Sequence, residues 1–125
     1  MEPIRILLVE DNDVYRGSLE LLLGLEPGLE VVGGVSDGAA AAVACAEAGA
    51  DVILMDYRLP GLDGAAATAA VLKACPGAAV VCLTAEATET EDEAVREAGA
   101  AALVRKGGPL GELVGAIRDA AERHA

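Results

Sequence analysis

The sequence predicts an α/β domain, a doubly wound parallel sheet of five strands covered by five helices. Three observations lead there: five short runs of β-branched or leucine-rich residues, helical apolar spacing between them, and Pro-Gly or Asp-Gly pairs where elements should turn. Strands that alternate with helices return in the same direction, and right-handed crossovers of that kind leave helices on both faces of a parallel sheet.

The first run, Ile4 to Val9, reads as a strand, and Leu19, Leu22 and Leu23 give the segment after it a helical stripe. Pro27-Gly28 turns the chain into a second strand, Leu29 to Val35, and Asp37-Gly38 leads into an Ala/Val helix over 39 to 48. A third strand covers Asp51 to Met55, followed by Pro60-Gly61, Asp63-Gly64 and a helix over 65 to 72. After Pro76-Gly77 come a fourth strand at Ala79 to Leu83, a helix at 94 to 98 and a fifth strand at Ala101 to Arg105. The last helix has the clearest pattern. Leu110, Leu113, Val114, Ile117 and Ala121 follow i, i+3, i+4, i+7 and i+11, a stripe that should face the sheet.

A chain of 125 residues fits one domain, and with no Phe and no Trp its core must be built from Val, Leu, Ile and Ala. No apolar run approaches the roughly 18 residues of a membrane span. The N-terminal segment lacks the pattern of a secretory signal, so the cytoplasm is the expected location. Cys45, Cys75 and Cys82 are widely spaced, and His124 is the only histidine, which supports neither a disulfide framework nor a zinc site. A formal charge of −12 argues against this domain gripping a nucleic-acid backbone. Six acids against one base between Glu86 and Glu97 form either a docking face for a basic partner or a solvated helix face.

Doubly wound sheets place ligands beyond the carboxyl ends of their strands, where the strand order reverses. The residues at those ends are Glu10 and Asp11 after the first strand, Asp56 after the third, Thr84 after the fourth and Lys106 after the fifth. Crowded carboxylates repel one another unless a cation neutralises them, and an all-oxygen ligand set favours Mg²⁺. Asp56 can then act as a nucleophile towards phosphorus, with Lys106 offsetting charge on the transferring group and Thr84 donating to one of its oxygens. Each residue alone has a plainer explanation. Glu10-Asp11-Asn12-Asp13 reads as an acidic turn that caps the next helix, Thr84 as a strand-end hydroxyl, Lys106 as a surface charge and Asp56 as a turn residue. Their coincidence at four matching strand ends is what the chemistry explains.

Four segments then carry a resemblance to the receiver domains of bacterial response regulators: Ile6 to Asn12, Asp51 to Gly64, Val80 to Ala85 and Gly99 to Lys106. The resemblance runs from about Ile4 to Arg123. It implies a flavodoxin-like sheet of order 2-1-3-4-5 in a single domain spanning residues 1–125. It also implies that Asp56 accepts a phosphoryl group from a sensor histidine kinase. Mg²⁺ would be held by Asp11 directly, Glu10 through water, Asp56 and the backbone carbonyl of Arg58. Thr84 and Lys106 would bind the phosphoryl oxygens and switch a face made of the fourth helix, fifth strand and fifth helix. The implied protein is a signalling phosphoacceptor rather than an enzyme, and it assists only its own phosphoryl transfer and dephosphorylation. Residues 25 to 38 look most like the branch with a C-terminal helix-turn-helix domain, and the chain stops where the fifth helix should stop. Transcriptional output through that separate DNA-binding domain, and a homodimer on phosphorylation, are therefore expected.

Two departures bear on the switch. Leu103 stands where many members have an aromatic residue, and Gly107-Gly108 replaces the common proline after Lys106, which should loosen that loop. Arg58 and Glu86, two residues after Asp56 and Thr84, occupy positions that tune acyl-phosphate lifetime in the family, and they are expected to pair across the site mouth. Other readings are a degenerate receiver that acts only as an interaction module and an Mg²⁺-dependent aspartate-nucleophile phosphatase. The second lacks its proton donor, because Arg58 stands where the second aspartate of Asp-x-Asp would be. A flavodoxin-type phosphate loop and a G-x-G-x-x-G fingerprint are both absent.

Overall fold

The computed structural model describes residues 2–59 and 62–123, so the Pro60-Gly61 turn and His124 lie outside the described residues. In chain order the elements are β1 (Ile4–Val9), α1 (Asp13–Gly24), β2 (Leu29–Val35), α2 (Gly38–Ala48), β3 (Val52–Asp56), β4 (Arg58–Leu59) and β5 (Leu62–Asp63). There follow α3 (Gly64–Ala74), β6 (Ala79–Thr84), α4 (Glu89–Glu97), β7 (Ala102–Arg105) and α5 (Leu110–Arg123). The main sheet is parallel throughout, in the order β2-β1-β3-β6-β7. With the two-residue strands β4 and β5 set aside as a separate antiparallel pair, this is the expected 2-1-3-4-5 arrangement.

Alternate residues of the central strands feed two cores, one on each face of the sheet. Ile6, Leu8, Leu54, Val81 and Leu83 pack with Leu19 and Leu23 of α1 and with Leu113, Val114 and Ile117 of α5. Leu7, Val9, Ile53, Met55 and Cys82 pack on the other side with Ala41 and Cys45 of α2, Ala67 and Val71 of α3 and Val95 of α4. The alanines of the second core let α2 and α3 sit close to the sheet and to each other. A Cβ on Gly38 would lie 3.2 Å from that of Ala67.

Three of the differences from the expected boundaries bear on the site. Strands β3 and β6 run through Asp56 and Thr84, because the ladder pairing Asp56 with Leu83 continues past the last apolar residue. The fourth helix starts at Glu89 rather than 94. Its apolar spacing begins late, but Thr88 caps it through Glu91 N–H at 3.1 Å, and Glu89, Glu91 and Asp92 in its first turn suit the positive end of the helix dipole. In α1, Leu19 and Leu23 are buried whereas Leu22 is 43% exposed, at the margin of the stripe.

Glycine is required at residue 64. Its N–H donates to Tyr57 O at 2.7 Å, and a Cβ there would fall 2.6 Å from Tyr57 Cα. The tight return that follows Asp56 depends on this approach.

Candidate functional site

The carboxyl ends of β1, β3, β6 and β7 bring the expected residues to one edge. Asp56 closes β3 and is 4% exposed, and Glu10, directly after β1, is 2% exposed. Asp11 follows it at the surface. One carboxylate oxygen from each of Glu10, Asp11 and Asp56 lies within 4.8 Å of the others. Lys106, directly after β7, reaches into this group, with Nζ 2.6 Å from Glu10 Oε1 and 3.2 Å from Asp56 Oδ2.

Backbone donors fix both buried carboxylates. Arg58 N–H donates to Asp56 Oδ1 at 3.1 Å, and Asn12 N–H donates to Glu10 Oε2 at 3.1 Å. Asn12 also caps α1 by accepting from Tyr15 N–H at 2.9 Å, so the capping function proposed for the acidic turn and the site function coexist. Burial works to lower the Lys106 pKa, but its hydrogen bond to Glu10 and the charges of Asp56 and Glu10 outweigh it, and the net shift is upward. The ammonium therefore stays charged. It also lies 4.9 Å from the centre of the Tyr15 ring, a cation–π contact. Burial raises the Tyr15 pKa, Lys106 opposes, and Glu10 and Asp56 add to the rise, so the phenol is neutral.

Three carboxylates against one ammonium leave two negative charges among these groups. The donor set is oxygen-only and partly open to solvent through Asp11, which fits a small hard divalent cation such as Mg²⁺.

Thr84 is buried at the end of β6, and its hydroxyl is engaged. It donates to Glu91 Oε1 at 2.6 Å, with Glu86 O a more distant acceptor at 3.3 Å. Glu91 Oε2 lies 3.5 Å from Arg58 Nη2. The ion pair expected between Arg58 and Glu86 is thus replaced by one between Arg58 and Glu91: Glu86 lies in the exposed loop before α4, while Glu91 turns inward from its first turn. Glu91 is the buried exception in the acidic run, whose Glu86, Glu89, Glu93 and Glu97 are exposed as the solvated-face reading expects. Leu103 packs half-buried against the α2–α4 core, and Gly107 takes φ +79°, a conformation suited to glycine at the turn after Lys106.

A family model for the response regulator receiver domain matches residues 6–118. The chain belongs to the response regulator receiver domain family. Receiver domains are signalling proteins of two-component systems rather than classical enzymes, their partners are sensor histidine kinases, and they bind Mg²⁺ at an acidic pocket. This receiver domain is 36% identical over 115 residues to response regulator GacA of Pseudomonas viridiflava, covering 92% of this chain and 54% of that protein. It is 34% identical over 119 residues to the transcriptional regulatory protein LiaR of Bacillus subtilis, covering 95% of this chain and 56% of LiaR. The chain thus spans about half the length of the curated relatives it matches. A two-component response regulator of the LuxR family from Aurantimonas superposes with a TM-score of 0.92 at 30% identity, over 98% of this chain and 87% of that one.

Two residues around the receiver site escaped the sequence reading. Tyr15 carried a faint signal as one of two tyrosines, four positions after Asp11. Glu91 carried a better one, since Thr88-x-x-Glu91 is a capping-box pattern.

Proposed function

We propose that this chain is the phosphoryl-accepting switch of a response regulator, with Asp56 as the acceptor. The observation that carries this reading is a buried Asp56 carboxylate with one oxygen held by Arg58 N–H and the other facing Lys106, at the end of a central strand. A carboxylate fixed at both oxygens is oriented before its partner arrives. An Asp56 oxygen attacks the phosphorus of a kinase phosphohistidine, the P–N bond breaks, the imidazole departs with the electron pair, and an acyl phosphate forms. Lys106 offsets the negative charge spread over the phosphoryl oxygens. Thr84 donates to one of them.

Mg²⁺ held by Glu10, Asp11, Asp56 and the Arg58 carbonyl would supply further neutralisation of that charge. The remaining two negative charges of the carboxylate group support this assignment.

Docking of the kinase is assigned to α1, which starts beside Asp11 and carries the exposed apolar residues Val14 and Leu21, with exposed Leu25 at its C-cap. The switched face is that of α4, β7 and α5, and phosphorylation biases an existing equilibrium towards a homodimer. The output is transcription, through a helix-turn-helix domain in a longer cytoplasmic protein. The relative named as a transcriptional regulator and the matched half-length both support that assignment. The charge of −12 leaves DNA contact to the separate domain.

Incubation with acetyl phosphate and Mg²⁺, followed by intact-mass analysis, tests the reading. One phosphoryl adduct is expected in the wild type and none in Asp56→Asn. An adduct that survives in Asp56→Asn would sink the assignment.

A further inference from the structure

The Thr84 hydroxyl has one hydrogen to donate, and Glu91 holds it at 2.6 Å, the short distance of a charge-assisted bond. A phosphoryl oxygen on Asp56 would need the same hydrogen. We propose that Glu91 is a positioning residue that competes with the phosphoryl group for the Thr84 hydroxyl. Phosphorylation then hands the hydroxyl over and leaves Glu91 to Arg58. This rests on the reading of Asp56 as phosphoacceptor.

Two features of the local structure make Glu91 available for the role. In Thr88-x-x-Glu91 only half of the capping box forms: Glu91 N–H donates to Thr88 Oγ1 at 3.1 Å, while Thr88 N–H donates to Glu86 O at 3.1 Å. The Glu91 carboxylate is directed to Thr84 and Arg58 instead. The second feature is the partner left behind. Arg58 Nη2 is 3.5 Å away on a side chain that is 74% exposed, so it can close on Glu91 when the hydroxyl leaves. A buried carboxylate without any partner would be costly, and Arg58 removes that cost.

The consequence is a route from Asp56 to α4 that uses no aromatic side chain. Glu91 stands in the first turn of α4, and Glu89 and Asp92 of the same turn line a surface cavity together with Leu103 of β7. Exchanging the Thr84 bond for the Arg58 bond shifts that turn relative to β7. With Leu103 in place of an aromatic switch, this exchange supplies the coupling.

The test uses beryllofluoride, which mimics the phosphoryl group on a carboxylate, with Mg²⁺ and amide NMR as the readout. Glu91→Ala is expected to bind it about tenfold more tightly than wild type, the scale of one charge-assisted hydrogen bond, and Glu91→Gln to fall between them. In a Thr84→Ala background the Glu91 substitutions are expected to change the affinity less than twofold. Without Mg²⁺ or beryllofluoride, Glu91→Gln should already shift the Thr84 methyl resonance and speed hydrogen exchange in the first turn of α4. Equal affinities for wild type, Glu91→Gln and Glu91→Ala would overturn the proposal, as would the same tightening in the Thr84→Ala background. Failure of the folded wild type to bind beryllofluoride would instead remove the phosphoacceptor reading beneath it.

Discussion

The two halves of the sheet's carboxyl edge settle their charges differently. Around β1, β3 and β7, Lys106 already contacts both Glu10 and Asp56, and backbone N–H groups hold the carboxylates in place. Around β6 and α4, the Thr84 hydroxyl is bound to a carboxylate from a helix, and that carboxylate is shared with a largely exposed arginine. The first half has the preorganisation that the proposed phosphoryl transfer needs. The second must break a bond before it can take part, so it is the half that can report the event to the rest of the molecule.

Removing the cation of the first half should give the largest effect. Lys106→Ala leaves Glu10 and Asp56 buried side by side without their ammonium. Phosphorylation by acetyl phosphate is expected to fall about a hundredfold, the scale of one lost electrostatic contact to the transferring group. Stability without metal should drop by about 2 kcal/mol, the cost of breaking a buried pair discounted for a lysine that is one-quarter exposed. Mg²⁺ should bind more tightly and recover most of that loss, because it replaces the missing charge. Urea denaturation with and without Mg²⁺ checks both signs, and a variant as stable as wild type in the absence of metal would contradict the picture.

A smaller effect sharpens the second half. Arg58→Ala removes the partner of Glu91 and opens the mouth of the site, so autodephosphorylation should speed up about threefold, the scale of an exposed ion pair. Glu86→Ala should leave it unchanged, since the contact from Thr84 is to the Glu86 backbone carbonyl. Decay of the adduct followed by intact mass separates the two variants. Equal acceleration in both would restore the Arg58–Glu86 pairing.

This contrast also marks how far the sequence was legible. Asp56 and Lys106 stand where apolar strand runs end, and in a parallel sheet those ends share an edge, so period and topology suffice to find them. The acidic run at Glu86 to Glu97 is different. Period cannot tell which of its carboxylates turns inward, because Glu91 is buried by contacts with β6 and with Arg58 rather than by an apolar stripe of its own helix. The misassigned Arg58–Glu86 pair has the same origin, for equal offsets from Asp56 and Thr84 say nothing of the turn into α4. The late start predicted for α4 came from reading helix only where apolar residues recur, when its first turn is held by a threonine cap and acids.

The smallest effect links the halves through Cys82, on β6 between them. Burial raises its thiol pKa from 9.0 to about 11, a hydrogen bond with Thr68 lowers it, and the charge of Asp56 raises it. In the unfolded chain the thiol ionises near 9.0, so above that pH the unfolded state loses a proton that the folded state keeps. Cys82 therefore contributes full stability below pH 9.0, and the contribution is lost as pH rises through about 11. Cys45, raised to about 12 first by burial and then by Cys75, acts in the same direction. Urea denaturation from neutral pH to pH 11 should show the decline, and Cys82→Val, which cannot titrate, should make it shallower by on the order of 1–2 kcal/mol. Asp56→Asn should also make it shallower, because the Asp56 charge raises the thiol from the neighbouring strand and raises Tyr15 and Lys106 as well, so its effect through the thiol is the part that disappears when Asp56→Asn is made in the Cys82→Val background. If Asp56→Asn and wild type decline identically, the Asp56 carboxylate and the β6 half of the edge are electrostatically independent, and only the proposed Thr84–Glu91 exchange is left to connect them.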